Sequence, residues 1–398
     1  MLAGKHIILG VTGSIAAYKT ASLASMLAKE HADVTVIMTR NATNFIHPIT
    51  FESLTGNKCL VDTFDRNFEF QVEHVSLAKQ TDVFLTAPAS ANVIAKAAHG
   101  IADDMLTTTL LACTCPKIFA PAMNTRMYQN KVVQDNMEIL RRYGIEVIDP
   151  ASGYLACGDT GEGKMPEPAV LYEYIIKALT PKDLAGKKVL VTAGPTQEKI
   201  DPVRYISNHS TGKMGYAIAR QAMMRGADVT LVSGKVNLQP PMGVRVLPVV
   251  SAADMAQAVK AHTQEQDIII KAAAVADYRP SVAADEKLKK KDADMVIGLE
   301  RTEDILAYLG ANRREGQFLC GFSMETEHML ENSRQKLEKK QIDMIVANNL
   351  KETGAGFGTD TNVVTILTKE DTKQLPMMRK EEVADAILDC IIQRGRID

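Results

Sequence analysis

The sequence predicts an α/β fold made of two domains, each built on a parallel sheet, and three observations predict it. Short runs rich in Val, Ile and Leu, such as Ile7-Ile8-Leu9 and Val189-Leu190-Val191, lack period-two alternation. That is the pattern of strands buried on both faces. The runs alternate with helical stretches, the order of βαβ units. Finally, the order is written twice. Ala3-Gly4-Lys5 opens into the first run and Ala185-Gly186-Lys187 into its counterpart. Ala32-Asp33-Val34-Thr35-Val36-Ile37 is answered by Ala227-Asp228-Val229-Thr230-Leu231-Val232. Thr81-Asp82-Val83-Phe84-Leu85 is answered by Gln266-Asp267-Ile268-Ile269-Ile270, and Lys117-Ile118-Phe119-Ala120 by Gln317-Phe318-Leu319-Cys320. The chain therefore reads as two Rossmann-like frames, and their unlike loops predict two active sites.

The stretch Leu179-Thr180-Pro181-Lys182-Asp183-Leu184-Ala185-Gly186 breaks the pattern before the second opening strand, placing the domains at 1–180 and 181–398. A chain of 398 residues is long enough to bury two cores. With 24% charged residues and a formal net charge of −2, the composition marks neither a nucleic-acid binder nor a membrane-surface protein. No apolar run approaches the length of a bilayer span, and Met1-Leu2-Ala3-Gly4-Lys5 leads into a strand rather than a signal peptide, so the expected location is cytoplasmic. The six cysteines form no CxxC pair, which argues against a zinc site or a disulfide framework. Cys113 and Cys115 read as core residues. Two long segments, 151–168 and 194–215, read as irregular loops of the kind that carry function.

In the first half, Gly10-Val11-Thr12-Gly13-Ser14-Ile15-Ala16-Ala17 is a tight turn feeding a helix whose first N–H groups suit a phosphate. A turn that only packs helix on strand fits the same residues. The motif is not GxGxxG, and the second strand ends in Thr39-Arg40, where a dinucleotide fold places an acidic residue. A mononucleotide such as FMN suits it better than NAD, which disfavours a generic dehydrogenase. After Val83-Phe84-Leu85 comes Ala87-Pro88-Ala89-Ser90-Ala91-Asn92, small enough for backbone to approach a planar ring, with Ser90 or Asn92 either meeting that ligand or capping the next helix. His74 opens a helical segment, as a candidate base or as a surface residue. Asn124 follows the strand Ile118-Phe119-Ala120 at the edge where such sheets bind ligands, or caps a helix there. Cys157 lies in the glycine-rich flap Gly153-Tyr154-Leu155-Ala156-Cys157-Gly158-Asp159, an odd place for a thiol unless it does chemistry.

In the second half the long loop ends Arg204-Tyr205-Ile206-Ser207-Asn208-His209-Ser210-Thr211-Gly212-Lys213-Met214. Its Thr-Gly-Lys is not a Walker motif, because Ser207 stands where the first glycine belongs and Met214 where Ser or Thr belongs. Asn208 with Arg204 suits an anionic group at this helix start, and a well-capped helix fits as well. Asp277 stands just past a buried strand, in position for a nucleotide or a metal. The run Glu286-Lys287-Leu288-Lys289-Lys290-Lys291 is either a solvated face or a charged ridge beside a ligand. Lys336 and Lys340 share a helix face at i,i+4, within reach of a phosphate or exposed to solvent.

Gly13-Ser14-Ile15-Ala16-Ala17-Tyr18-Lys19, the Pro-Ala-Ser-Ala-Asn run, His74, the PxMNxxM pattern at 121–127 and the Ala-Cys-Gly-Asp flap together resemble the flavin-dependent cysteine decarboxylases of coenzyme A biosynthesis. The second half resembles their usual fusion partner, phosphopantothenate–cysteine ligase. The resemblance implies FMN held by Gly13, Ser14, Ile15, Thr39, Ser90, Ala91 and Asn92. It also implies Cys157 as the acid that completes decarboxylation, His74 as base or orienting group, and Asn124 on the substrate carboxylate or amide. Tyr128 replaces a Trp frequent in the family. For the ligase half it implies CTP with Mg2+, an acyl-cytidylate secured by Asn208, and catalytic Lys287 at the triphosphate. Asp277, Glu303, Asp304, Ile305, Leu306, Phe322, Lys336 and Lys340 would complete the nucleotide site, with Thr302-Glu303-Asp304-Ile305 standing where relatives carry Asn-Pro-Asp-Ile. Trimeric decarboxylase and dimeric ligase contacts, together a dodecamer, are implied too. A decarboxylase of peptidyl cysteine would not need the second half. A silent flavin scaffold would not need His74, Asn124 and Cys157 together.

Overall fold

The computed structural model describes residues 2–63, 73–154, 158, 160–289, 295–325, 329–349, 356 and 358–394. The chain divides into two compact units, Met1–Thr180 and Pro181–Asp398. Both are α/β, as the apolar runs predict, the first on a parallel sheet and the second on a sheet whose last two strands pair antiparallel.

The first unit runs β1 (His6–Val11), α1 (Ala17–Lys29), β2 (Asp33–Met38), α2 (Pro48–Thr55), α3 (Glu73–Gln80), β3 (Val83–Ala89), α4 (Ala91–His99), α5 (Met105–Ala112), β4 (Lys117–Pro121), α6 (Thr125–Tyr128), α7 (Lys131–Arg142), β5 (Glu146–Val147), β6 (Ala151–Tyr154), β7 (Thr160–Lys164) and α8 (Pro168–Leu179). Its parallel sheet has the order β2-β1-β3-β4-β5. On one face Ile8, Phe84 and Phe119 pack under Val93, Ile94, Leu106, Met137 and Leu140 of α4, α5 and α7. Leu23 and Leu27 of α1 and Leu171 and Ile175 of α8 are likewise fully buried. Helix starts are set locally: Asp104 and Thr107 form a reciprocal capping box on α5, and Ser90 caps α4.

The second unit runs β8 (Lys188–Ala193), β9 (Gln197–Lys199), β10 (Tyr205–Ser207), α9 (Lys213–Met224), β11 (Asp228–Ser233), β12 (Arg245–Pro248), α10 (Ala252–His262), β13 (Ile268–Lys271), β14 (Tyr278–Pro280), β15 (Leu299–Arg301), α11 (Ile305–Ala311), β16 (Phe318–Glu325), α12 (Met329–Lys339), β17 (Met344–Asn349), β18 (Thr361–Asn362), β19 (Val364–Thr368), β20 (Thr372–Gln374), β21 (Met378–Arg379) and α13 (Lys380–Arg394). The sheet order is β12-β11-β8-β13-β16-β17-β19-β20, parallel as far as β17 and antiparallel beyond. Leu190, Ile269, Leu319 and Ile345 cover one face beneath Met255, Val259, Ile305, Leu309 and Leu337 of α10, α11 and α12.

The duplication read in the sequence is a duplication of register. β1 lies between β2 and β3, and β8 between β11 and β13, with His6 opposite Asp33 and Lys188 opposite Asp228. Ile7 lies opposite Val83, and Val189 opposite Ile268. Even the strand-opening aspartates match. The Asp82 carboxylate accepts from the His6 N–H at 2.8 Å, and the Asp267 carboxylate from the Lys188 N–H at 2.9 Å.

Two segments differ from expectation. Within 151–168, β6 and β7 form an antiparallel hairpin, and within 194–215, β9 and β10 form another. These strands of three to five residues pair apart from the main sheets and show no apolar alternation, so the hydrophobic pattern does not announce them. Among the described residues no helix is long and apolar enough to cross a membrane.

Candidate active sites

In the first unit a cleft of about 1120 Å³ opens at the carboxyl ends of β1, β2 and β3, lined by Thr12, Gly13, Thr39, Ser90, Ala91 and Asn92 among others. Thr12 joins its two main loops: its hydroxyl donates to the Pro88 carbonyl at 2.7 Å and accepts from the Ser90 N–H at 3.0 Å. A Cβ on Gly13 would stand 2.9 Å from the Asn41 Cβ, so only glycine lets this turn lie against the neighbouring loop. Ser14 accepts from the Ala16 N–H at 3.3 Å, and Ile15 is exposed where the turn leads into α1. Thr39 and Ser90 each cap the helical turn that follows them. Their capping role and their place on the cleft wall therefore coexist. Arg40, also on the wall, pairs with Asp62 at 3.1 Å. Lys96 pairs with Asp103 at 2.7 Å and Asp104 at 3.6 Å; the Asp103 hydrogen bond chiefly holds the Lys96 ammonium above its ordinary pKa, opposed by partial burial.

Asn124 follows β4 and caps α6, its Oδ1 accepting from the Arg126 N–H at 2.9 Å. The β6–β7 hairpin is bonded to this same turn, the Met123 N–H donating to the Gly163 carbonyl at 3.0 Å. Gly163 has φ +123°, and a Cβ there would stand 2.3 Å from the Met123 carbonyl oxygen. No other residue fits. Past the hairpin, the nearly buried Lys19 of α1 donates to the Met165 carbonyl at 3.1 Å and to Glu167 at 2.7 Å. That hydrogen bond from Lys19 holds the Glu167 carboxyl below its usual range. Cys157 lies outside the described residues, between the two strands so anchored. His74 is half-buried in the first turn of α3. Tyr128 is half-buried against the core; desolvation first, then the carboxylates Asp149 and Glu162, raise its phenol. Cys113 is buried as expected, and Cys115 half-buried.

In the second unit a cleft of about 490 Å³ occupies the corresponding edge, where Asn208, Asp277, Phe322 and Lys336 come together. The Asn208 amide donates to the Ala274 carbonyl at 2.9 Å. Gly212, with φ +79°, starts α9, and a Cβ on Gly215 would stand 2.5 Å from the Ala193 Cβ, so the helix start lies directly on the end of β8. Three threonines fasten the segment leading to Asp277. Thr192 accepts from the Ala273 N–H at 3.1 Å, Thr196 accepts from the Ala276 N–H at 3.0 Å, and Thr302 donates to the Ala276 carbonyl at 2.6 Å.

Other expectations are corrected. Arg204 does not stand with Asn208 as an anion grip: its guanidinium is bonded to Asp201 at 2.9 and 2.5 Å and to the Leu288 carbonyl at 2.8 Å. The physical reason is that the Asp201 side chain is fully covered and needs a counterion. The Leu288 N–H also donates to Asp201 at 3.2 Å, which pins the exposed Lys287 next to it in the chain. Glu303 turns away, pairing with Lys260 at 2.5 Å and lining a separate hollow with Arg279 and Arg301. Asp304 caps α11 through the Ala307 N–H at 2.9 Å and pairs with Lys340. Ile305 is 1% exposed in the core and Leu306 packs against it, so neither offers a side chain to the cleft. Lys336 lines the cleft, whereas Lys340 sits one residue past α12.

The sequence reading missed Lys213, Lys271 and Lys380, all on the cleft wall. Lys213 donates to the Gly358 carbonyl at 2.9 Å and to Asp360 at 2.7 Å. Lys380 donates to the Gly356 carbonyl at 2.9 Å; desolvation, then the nearby Lys213, push its ammonium down to about 8. Lys271 closes the apolar run Ile268–Ile270, a residue out of place in a buried strand and the one signal available.

Comparison with known proteins covers both units. Residues 1–180 match the family model described as Flavoprotein, and residues 184–394 the model described as DNA/pantothenate metabolism flavoprotein C-terminal domain. The chain is 47% identical over 393 residues to the Coenzyme A biosynthesis bifunctional protein CoaBC of Bacillus subtilis (strain 168), covering 98% of this chain and 97% of that one. It is 41% identical over 397 residues to the protein of the same name from Escherichia coli (strain K12), covering 99% and 98%. Among solved structures, the C-terminal domain of a CoaBC protein matches at TM-score 0.47 and 45% identity over 55% of this chain and all of that one. A PPC decarboxylase mutant complexed with pantothenoylaminoethenethiol matches at TM-score 0.39 and 30% identity over 43% of this chain and 96% of that one.

Proposed function

Because the chain belongs to the family of bifunctional coenzyme A biosynthesis proteins, with a phosphopantothenate–cysteine ligase half and a phosphopantothenoylcysteine decarboxylase half, we propose that each cleft serves one of these two activities. The supporting observation is the contrast between the clefts: one is walled by hydroxyls and amides with its Arg40 and Lys96 each paired to an aspartate, the other gathers lysines around Asn208 and Asp277.

The lysine-rich cleft takes CTP as its Mg2+ complex. The phosphopantothenate carboxylate attacks the α-phosphorus, giving acyl-cytidylate and pyrophosphate. The cysteine amine then attacks the acyl carbon, expelling CMP and a proton. Asn208 holds the acyl group, while Lys287 and Lys336 offset charge on the phosphates, the larger share of catalysis in such transfers. Asp277 and Phe322 position the nucleotide, and Lys340 with Asp304 sets the start of α11 beside it. Among the described residues no group of three or more His, Cys, Asp or Glu gathers as a metal site, so no residue is assigned to the ion.

The other cleft fits FMN: Gly13 lets the turn after β1 lie close against Asn41, and Ser90, Ala91 and Asn92 line the same cleft with it. FMN, when bound, supplies a two-electron acceptor and donor. Ser14, Ile15 and Thr39 set the phosphate end. His74 takes the proton from the substrate thiol or orients it, Asn124 holds the substrate carboxylate or amide, and Cys157 returns a proton to the carbon that loses CO2. The Lys19 and Gly163 anchors keep the strands flanking Cys157 against the turn that presents Asn124.

Exposed apolar side chains in each unit support homo-oligomeric contacts in a cytoplasmic enzyme: Ile15, Tyr18, Phe45 and Ile49 in the first, Val203, Tyr205 and Leu299 in the second. Trimeric and dimeric contacts respectively build a dodecamer. Light scattering reads its mass directly. The ligase assignment is tested by withholding cysteine: one equivalent of pyrophosphate per site is expected, with CMP released only when cysteine is added. Pyrophosphate release that does not require phosphopantothenate would contradict it.

A further inference from the structure

Lys271 ends the central strand of the second unit, flanked in register by Thr192 of β8 and Gly321 of β16. It lies on the same face of the sheet as Ile269, two residues earlier, which packs in the core with Leu190 and Leu319. Lys271 is thus the rung above a closed apolar layer. Its register neighbours are small, leaving the long side chain a path into the cleft that it lines with Asn208, Asp277 and Lys336. Lysine in such a place is costly, because desolvation penalises the ammonium without a paired anion. Among the described residues nothing bonds to it: no hydrogen bond or ion pair is made to its Nζ, whereas Lys213, Lys340 and Lys380 all have partners.

We propose that Lys271 is a further nucleotide-positioning residue of the ligase half, its ammonium completing its contacts on a phosphate oxygen of the bound nucleoside triphosphate. This rests on the reading of the cleft as the nucleotide site. A polyanion supplies the counter-charge that the free protein lacks at this point, and a phosphate oxygen accepts from an ammonium with the strength of a charge-assisted bond. The groups around it sharpen the consequence. Desolvation brings the Lys271 ammonium down to about 8, with Asp277 opposing that shift and Lys340 adding to it. Lys336 on α12, Lys213 on α9 and Lys380 on α13 face the same cleft, and Asp304 on α11 is paired with Lys340. The attraction is therefore present below about pH 8 and lost as the pH rises through it. Lys380 titrates in the same range, so the difference between parent and variant, not the parent profile alone, isolates Lys271.

The test uses the full-length protein and its Lys271→Met and Lys271→Arg variants, measuring KM for CTP and kcat of ligation from pH 6.5 to 9.5, with thermal unfolding alongside. Lys271→Met is expected to raise KM for CTP about tenfold at pH 7, with kcat within about twofold and the unfolding midpoint not lowered. The gap between variant and parent should close above pH 8. Lys271→Arg, charged throughout, should hold its KM nearly level to pH 9.5. If parent and Lys271→Met share one KM and one pH profile, the assignment falls while the ligase reading stands. If the parent shows no saturable dependence on any nucleoside triphosphate, the ligase reading falls and takes the assignment with it.

Discussion

The two units carry one frame with two kinds of edge. At the carboxyl ends of the first sheet, the cleft is held by neutral links such as Thr12 between Pro88 and Ser90, and its lysine, Lys96, is paired with Asp103 and Asp104. At the same edge of the second sheet, Lys213, Lys271, Lys336 and Lys380 face one cleft, and two of them have ammonium groups brought down to about 8. The frame decides where a ligand binds, and the side chains set at that edge decide its charge. One edge suits a flat, neutral ring with a single phosphate, and the other a polyanion.

The sharpest way to break this division is a reciprocal pair of variants. Cys157→Ser should lower decarboxylation of supplied phosphopantothenoylcysteine by about 10²- to 10⁴-fold and leave ligation untouched. Lys287→Gln should lower ligation by roughly 10²-fold and leave decarboxylation untouched. Assaying both reactions on both proteins decides it, and a variant that loses both would mean the halves are not chemically separate. Next in size is Gly163→Ala, which forces a Cβ against the Met123 carbonyl and shifts the hairpin flanking Cys157. Displacement on that scale costs roughly 10²-fold in turnover of the decarboxylase alone. A parental rate would show that the hairpin does not position the acid.

Smaller effects sharpen the comparison. Thr12→Val leaves the buried Pro88 carbonyl and the Ser90 N–H without their shared partner, at a cost of about 1–3 kcal/mol. Flavin retention after gel filtration should fall, while CTP-dependent ligation keeps its rate. The smallest concerns acid stability of the ligase half. The Arg204 hydrogen bond, with backbone donors from Val203, Arg204 and Leu288, holds the Asp201 carboxyl well below its ordinary range against the effect of desolvation. A depressed carboxylate contributes stability that is complete above its unfolded value, about 3.9, and is lost as pH falls toward the folded one. Asp201→Asn should therefore flatten the fall in unfolding midpoint below about pH 4. An unchanged slope would remove Asp201 from the account.

Most of the frame was legible because buried parallel strands are written as apolar runs, and the repeat of Asp82 and Asp267 marks equivalent strand starts. The β6–β7 and β9–β10 hairpins were not, because backbone pairing of glycine-rich or polar residues leaves no periodic trace. In the cleft of the second unit, Asn208, Asp277 and Lys336, read from their places at a helix start, a strand end and a helix face, meet Phe322, which the resemblance alone implied. Lys380 was not, since it lies more than a hundred residues from Asp277 and only the packing of α13 brings it in. Glu303 and Asp304 show the opposite failure: adjacent in sequence, they diverge at the start of a helix, one to Lys260 and the other to Lys340.

The central claim is that one chain performs two consecutive reactions at two separate clefts. Its most direct test is mass spectrometry of the purified protein incubated with phosphopantothenate, cysteine, Mg2+ and CTP, after its visible spectrum has been recorded. A yellow protein that yields phosphopantetheine, CMP, pyrophosphate and CO2 is the predicted result. A colourless protein, or one in which phosphopantothenate is returned unchanged, would contradict the account.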